Sequence, residues 1–214
     1  MTTSINHHLT EDLISGYSCG SLPEAVSLAV ATHVSLCDEC RARLESHDAL
    51  GGSLLETVST ETVATGSFAQ TMAKIKATPD VPKQRPAPSN VPAPLQDYIG
   101  TRLEDIKWRS IGMGVKQAIL PTSKGATARV LYIPSGTAVP DHGHNGLELT
   151  LVLQGAFRDE SGEFGVGDIE VANEETDHTP VAFGDQDCIC LAVTDSPLRF
   201  KSTFHRVIQP FLKI

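Results

Sequence analysis

The sequence predicts an α + β fold in two domains, a small helical bundle followed by an antiparallel β domain. Residues 1–78 carry apolar residues at helical spacing. Residues 95–214 instead contain short apolar runs separated by Gly, Pro and Asn, a pattern typical of strands and turns. Between them, residues 79–94 hold six of the thirteen prolines. Proline fixes φ and lacks an amide hydrogen, so this stretch predicts a semi-extended linker between the domains.

Composition and charge narrow the class of protein. The 214 residues are 40% hydrophobic and carry a formal net charge of −9. An acidic chain with no basic stretch argues against direct binding to nucleic acid, which needs Lys and Arg to neutralise phosphates. No run approaches the roughly 20 apolar residues of a membrane span, and the N-terminus lacks the basic start and apolar core of a signal peptide. We therefore expect a cytoplasmic protein whose five cysteines are ligands or free thiols.

Four helices are predicted in residues 1–78. The first covers Glu11 to Ser18. Ser21-Leu-Pro-Glu24 has the spacing of a capping box, which opens a second helix that runs to about Leu36. A third helical stretch covers Arg41 to Leu50, and a fourth covers Ser67 to Ala77. A bundle this small buries little core by itself, so we expect it to depend on an additional stabilising element.

The motif His33-x3-Cys37-x2-Cys40 can supply that element. Residues i and i+4 share a helix face, which brings His33 to Cys37, and the two cysteines are spaced to grip one ion. A tetrahedral structural zinc site needs a fourth ligand, which His7 or His8 can provide. In zinc-finger peptides the metal contributes on the order of 10–16 kcal/mol of apparent binding energy. The alternative is a reduced cysteine pair near an unrelated histidine.

The helical segment also carries a possible contact surface. Phe68, Met72 and Ile75 share one face of the fourth predicted helix. That face either packs on its own domain or binds a partner, and the spacing favours neither. Residues 1–78 contain four basic and nine acidic residues, a balance that suits a partner with basic surfaces.

A second metal motif lies in the β half, in the run from Gly136 to Gly155. His142 and His144 lie at i and i+2, and therefore on one face of a strand. Asn145-Gly146 is a tight-turn signal, and such a turn would swing Glu148 back beside the two histidines. The run from Glu148 to Leu153 reads as a buried strand. Two imidazoles and a carboxylate are ligand types that bind transition metals.

Farther along, Gly165-Val-Gly167-Asp168 predicts a turn, Ile169 to Ala172 a strand, and Asp177-His178 a loop. This order resembles the second motif of the cupins, antiparallel β-barrels that hold a metal with three His and one Glu. The resemblance implies a cupin barrel whose metal, zinc or another divalent transition metal, is bound by His142, His144, Glu148 and His178. Two cupin features are missing, namely the Pro before the Gly-Asp turn and the Asn four residues after the ligand His, so no particular cupin chemistry is implied.

Taken together, residues 1–78 and 95–214 resemble the ChrR-type zinc-binding anti-sigma factors, which join such a helical domain to a cupin-like domain. The resemblance implies that the helical domain binds an alternative sigma factor of the extracytoplasmic-function type. It also implies release under oxidative stress sensed by the cupin-like domain, and no enzymatic activity. Within the family pattern His8, and not His7, joins His33, Cys37 and Cys40 as a zinc ligand. Cys19 has no place in that set, and we expect a buried helix-face thiol.

Two other function classes compete with this reading. One is a metal-dependent cupin enzyme, a dioxygenase or isomerase, with a zinc-binding interaction domain. The other is a storage or structural metalloprotein. Cys188 and Cys190, at i and i+2 on a predicted strand, are either redox-sensitive thiols or core residues.

Overall fold

A computed structural model describes residues 4–79 and 89–200. The centre of the predicted linker, 80–88, and the final residues 201–214 of the predicted second domain lie outside the described residues. The N-terminal part is helical, as predicted, and its helices α1 to α4 have the bounds Glu11–Ser18, Glu24–Leu36, Asp38–Glu56 and Ser67–Ala77. A short α5, Gln96–Ile99, precedes the strands.

Two of the helix predictions need correction. The third helix is longer than expected at both ends: it starts at Asp38 because Cys37 already acts as its N-cap, and it continues beyond Leu50 to Glu56. The predicted capping box is absent: Pro23 is the N-cap of α2 and offers no side-chain hydrogen bond. Ser21 lies too early to cap, and its hydroxyl donates to Gly16 O instead at 3.1 Å. The Glu24 carboxylate accepts from Tyr98 Oη at 2.8 Å and from Ser123 N at 2.7 Å, so it ties the start of α2 to the later part of the chain.

The second part is built of antiparallel strands, as predicted. Strands β1 to β12 have the bounds Arg109–Gly112, Val115–Ile119, Thr127–Ile133, His142–Gly143, Glu148–Gln154, Ala156–Arg158, Glu163–Phe164, Ile169–Ala172, Asp177–His178, Val181–Phe183, Cys188–Thr194 and Arg199–Phe200. They form a six-stranded sheet in the order β1-β2-β3-β11-β5-β8 and two three-stranded sheets, β10-β6-β7 and β12-β4-β9. Among the described residues the three sheets do not close into one continuous barrel, whereas the predicted fold class, a helical bundle followed by an antiparallel β domain, is confirmed.

The six-stranded sheet is covered on both faces. Helix α2 packs against β3, β5 and β11 on one face, so that the helical core and the outer face of the sheet form a single apolar cluster. The other face turns toward the small sheets, with Val152, Phe157 and Cys190 in a second cluster. This double cover explains why every residue of β11 is buried.

The C-terminal end of the predicted linker is part of the packed structure. Val91 is buried, and Ala93–Leu95 forms a single 3₁₀ turn that contacts α2. Proline is tolerated there because the first residues of a short 3₁₀ turn need no amide hydrogen for a bond within the turn. Within residues 4–79 and 89–200, no helix is long and apolar enough to cross a membrane.

Candidate metal centres

The first predicted group of ligands comes together in the structure. His8, His33, Cys37 and Cys40 each offer one ligand atom, and these atoms lie within 4.8 Å of one another. His8 Nδ1 is 3.4 Å from Cys37 Sγ and 3.7 Å from Cys40 Sγ. A tetrahedral zinc ion with bonds of about 2.0–2.3 Å would hold its ligand atoms roughly 3.3–3.8 Å apart, so the separations suit such an ion. We name this group site 1.

The junction of two helices arranges site 1. Cys37 has extended backbone angles and is at once the C-cap of α2 and the N-cap of α3. As expected from the i, i+4 spacing, His33 lies beside Cys37, whose N–H donates the last helical hydrogen bond of α2 to His33 O at 2.8 Å before the chain turns. The turn lets Cys37 Sγ accept from Cys40 N at 3.4 Å, as a capping side chain does.

Each histidine of site 1 has one ring nitrogen engaged elsewhere. His33 Nδ1 lies 3.0 Å from Gly167 O, whereas its Nε2 is buried and has no hydrogen-bond partner. The Nε2 of His8 lies 3.4 Å from Glu39 Oε2, which leaves its Nδ1 toward the thiols. Burial lowers the pKa of His33 to about 4, so the ring is neutral and can donate a lone pair to a metal.

His7 stays outside site 1, and its place is in the β half. Its ring packs on Phe164 with centroids 4.2 Å apart, and its Nδ1 lies 3.5 Å from Asp168 Oδ1. The spacing allowed either His7 or His8 as the fourth candidate ligand. In the structure His8 is the histidine that lies beside the two thiols.

The second predicted group, which we name site 2, is also assembled. His142, His144, Glu148 and His178 are all buried, and their ligand atoms lie within 4.8 Å of one another. The short strand β4 pairs with β9 so that His142 lies opposite His178, with their Nε2 atoms 3.2 Å apart. The bend at Asn145-Gly146 returns Glu148, whose Oε2 is 3.0 Å from His144 Nδ1 and 3.6 Å from His142 Nε2.

The unsatisfied atoms of site 2 fit a bound cation. Both ring nitrogens of His144 and the Oε2 of Glu148 are buried without a hydrogen-bond partner. Buried polar atoms nearly always have partners, and a neutral imidazole offers one lone pair. A lone pair of His144 beside the unpaired Oε2 of Glu148 is what a metal ion would satisfy. Although burial by itself raises the pKa of Glu148, His142 and His144 lower it to about 2, which keeps the carboxylate ionised.

Two acidic residues that the sequence analysis missed support His178. Its Nδ1 lies 2.8 Å from Asp159 Oδ2 and 2.9 Å from Glu170 Oε1. Burial, together with Asp159, raises the pKa of Glu170 to about 7. A charged residue within the apolar strand Ile169–Ala172 was the available signal for Glu170. Asp159 lies in a loop between β6 and β7, where a local pattern gives no such signal.

The three remaining cysteines belong to neither group of candidate ligands. Cys19 is exposed at the C-cap of α1, so the expectation of a buried thiol is wrong. Cys188 and Cys190 are buried in the second apolar cluster. The neighbouring Cys188 thiol and burial raise the pKa of Cys190 well above its usual range, which favours the core reading over a reactive thiolate.

Comparison with known proteins accounts for both halves of this architecture. Residues 96–197 match the family described as the ChrR Cupin-like domain. The anti-sigma-E factor ChrR of Cereibacter sphaeroides is 57% identical over 216 residues, which cover 99% of this chain and 100% of that protein. The chain belongs to the ChrR-type anti-sigma factors.

A solved structure extends this relationship to the coordinates. The crystal structure of Rhodobacter sphaeroides SigE in complex with the anti-sigma ChrR matches with a TM-score of 0.81 at 57% identity, over 90% of this chain and 100% of the matched chain. ChrR-type proteins are regulators, so the role of the chain is regulatory and not enzymatic. Both groups of possible metal ligands lie within the region shared with this family.

Proposed function

We propose that this protein sequesters an alternative sigma factor of the extracytoplasmic-function type and releases it under oxidative stress. The observation that carries the proposal is the full-length identity of 57% to an anti-sigma-E factor, together with an intact set of possible ligands at both sites. Residues 1–78 act as the sigma-binding domain, 79–94 as a linker and 95–214 as the sensing domain. A partner that works on RNA polymerase implies a cytoplasmic location.

An exposed apolar surface on α3 and α4 supports binding of a protein partner. Phe68 and Ile75 are 80% and 60% exposed, and α4 has no buried residue. Leu54 and Leu55, at the end of α3, are 61% and 73% exposed. The face of α4 that carries Phe68 and Ile75 was predicted either to pack on its own domain or to bind a partner. Among the described residues, packing on its own domain therefore lacks support. Large apolar side chains exposed to water on both helices are the kind of surface that a protein partner can cover.

Site 1 is proposed to hold zinc through His8, His33, Cys37 and Cys40. The ion would join the segment before α1 to the α2–α3 junction. A bundle this small buries too little apolar surface to hold these two parts together by itself. Burial raises the pKa of Cys40, so its thiol is protonated when no metal is bound. Because a metal binds the thiolate, binding would release this proton. Site 2 is proposed to hold zinc or another divalent transition metal through His142, His144, Glu148 and His178.

One turn offers a route from site 2 to site 1. The strand β8 carries Glu170, which contacts His178 of site 2. Two residues earlier, the Asp168 carboxylate accepts from Asn6 N at 2.6 Å and His7 N at 2.9 Å, directly before His8. The preceding Gly167 carbonyl accepts from His33 at 3.0 Å. A change at site 2 that moves β8 would therefore act on the backbone beside His8 and on the ring of His33.

Co-purification with a sigma factor tests the binding half of the proposal. The full chain should form a stoichiometric complex with SigE as the probe, and Cys37→Ala or Cys40→Ala should lose both zinc and the complex. Cys19→Ala is the matched control, because that thiol is exposed and outside site 1. Full zinc content and unaltered sigma binding in both ligand variants would contradict the proposal.

A reporter assay tests the sensing half. His142→Ala, Glu148→Ala and His178→Ala each remove a ligand from site 2, so we expect them to keep sigma bound but to blunt its release by peroxide or singlet oxygen. The measurement is sigma-dependent reporter output with and without oxidant, and Glu163→Ala, on an exposed position of β7, is the control. Normal induction in all three ligand variants, with metal shown to be absent from site 2, would remove the sensing role.

A further inference from the structure

The β half contains a cavity beside site 2 whose other walls have no part in the proposed regulatory role. Its volume is about 240 Å³, and it lies between the inner face of the six-stranded sheet and the two small sheets. His142, Glu148 and His178 of site 2 form part of one wall. Most of the remaining surface is apolar, with side chains that include Leu131, Val139, Phe157, Pro180, Leu198 and Phe200. Small-molecule sites have this composition, an apolar lining with a few polar groups at one side.

A buried cation lies in the wall of this cavity. Arg129 is only 4% exposed and occupies the centre of β3. In the sheet register it lies opposite Ala192 of β11, which lies opposite Thr150 of β5. All three residues line the cavity, so the guanidinium belongs to the inner face of the sheet and not to the face covered by α2.

Arg129 has far fewer partners than a buried guanidinium needs. The group carries five N–H donors and stays charged in proteins. Its one hydrogen bond within the described part of the chain is a long contact of 3.4 Å from Nη1 to Gln117 Oε1, and no ion pair involves it there. The two acids in the wall are directed elsewhere: Glu148 Oε2 lies 3.0 Å from His144, and Glu170 Oε1 lies 2.9 Å from His178.

We propose that the cavity binds a small monocarboxylate with an apolar tail, with the carboxylate on Arg129 and the tail on the apolar wall. The carboxylate of Glu148 attracts the Arg129 charge electrostatically but accepts no hydrogen bond from it. Buried donors without an acceptor are costly, and a planar carboxylate matches the paired donors of a guanidinium. The volume of about 240 Å³ lies just below the roughly 300–1,000 Å³ of drug-sized ligand sites, so a short-chain acid suits the cavity. Hexanoate is such an acid, and hexan-1-ol is its neutral counterpart of the same chain length.

Calorimetric titration of the full chain, with its metal content measured, tests the site. Hexanoate should bind about tenfold or more tightly than hexan-1-ol, the preference that one charge-assisted hydrogen bond can give. Arg129→Met keeps the volume but removes the charge, and it should abolish this preference. Arg129→Lys keeps the charge and should retain most of it. Arg158→Met is the control, because that guanidinium lies over the Phe183 ring on an exposed part of β6.

Several results would overturn the proposal. Equal binding of the acid and the alcohol by the natural protein, or no binding of either, would mean that the cavity is not a carboxylate site. A full preference for hexanoate in Arg129→Met would place the carboxylate elsewhere. If Arg129→Met does not fold, the comparison of the two ligands on the natural protein and on Arg129→Lys still decides. None of these titrations involves a sigma factor, so their failure leaves the anti-sigma proposal intact.

Discussion

At the residue scale, His178 is held in place by two acids that compete for one hydrogen. Its Nδ1 can donate one strong hydrogen bond at a time, yet Asp159 and Glu170 both lie within 2.9 Å of it. Histidine ligands commonly donate their second ring nitrogen to a carboxylate, which fixes the ring and makes the ligand nitrogen more basic. With two carboxylates available, either one can perform this role when the other is removed.

The variants Asp159→Ala and Glu170→Ala should therefore be mild separately and severe together, because only the double variant leaves Nδ1 of His178 without an acceptor. Loss of the partner of a ligand histidine weakens metal binding by roughly 10–100-fold, and we expect that loss only in the double variant. Competition with a chromophoric chelator measures the affinity of site 2, and Glu163→Ala in β7 is the exposed control. A single variant that already shows the entire loss would mean that one carboxylate alone supports His178.

At the element scale, the turn from Gly165 to Asp168 fastens the N-terminal segment to the sheet. One oxygen of the Asp168 carboxylate accepts from the backbone of residues 6 and 7, and the other accepts from Gly165 N at 2.8 Å. Ile169 N donates to His7 O at 3.3 Å, so the segment before His8 pairs with the start of β8. The turn therefore contacts the surroundings of site 1 and begins the strand that reaches site 2.

Asp168→Ala should separate sensing from binding. Without the carboxylate the segment before His8 loses two hydrogen bonds to the β half, so a change at site 2 is transmitted less well to site 1. We expect both metals and sigma binding to remain, oxidant-driven release to fall, and stability to drop by about 1–3 kcal/mol because backbone donors lose their acceptor. Asp185→Ala, on an exposed loop, is the control. Unchanged release with metal present at both sites would exclude this turn as the route.

The same scale shows what local sequence could predict. Helix α1 and strand β8 have the bounds expected from their patterns, because period and capping act within a few residues. The capping box failed because Glu24 contacts Tyr98 and Ser123, which lie 74 and 99 positions away in the sequence. The grouping of the candidate ligands at each site was predictable because most of them lie close together in the sequence. Asp159 and Arg129 were not, since their roles depend on strand pairing that no local spacing encodes.

At the scale of the whole molecule, the two halves share one apolar core. Ile14 and Val30 of the helices belong to the same buried cluster as Leu149, Leu191 and Val193 of the sheet. The proline-rich linker therefore separates the two halves along the sequence but not in space. Helix α2 packs on the outer face of β11, β5 and β3. This arrangement lets the sheet stabilise the helical half.

The isolated segment 1–78 tests whether sigma binding depends on that shared core. We expect it to take up zinc and to inhibit sigma-dependent transcription, because site 1 and the exposed faces of α3 and α4 lie within it. It should unfold at a lower temperature than the full chain, since the apolar surface of α2 loses its cover and each Å² of that surface is worth about 25 cal/mol. It should also be insensitive to oxidant, because site 2 is missing. In vitro transcription and thermal unfolding, with the equally tagged full chain as control, measure both properties. A fragment that is folded and zinc-loaded but leaves transcription unchanged would mean that sigma recognition requires the β half.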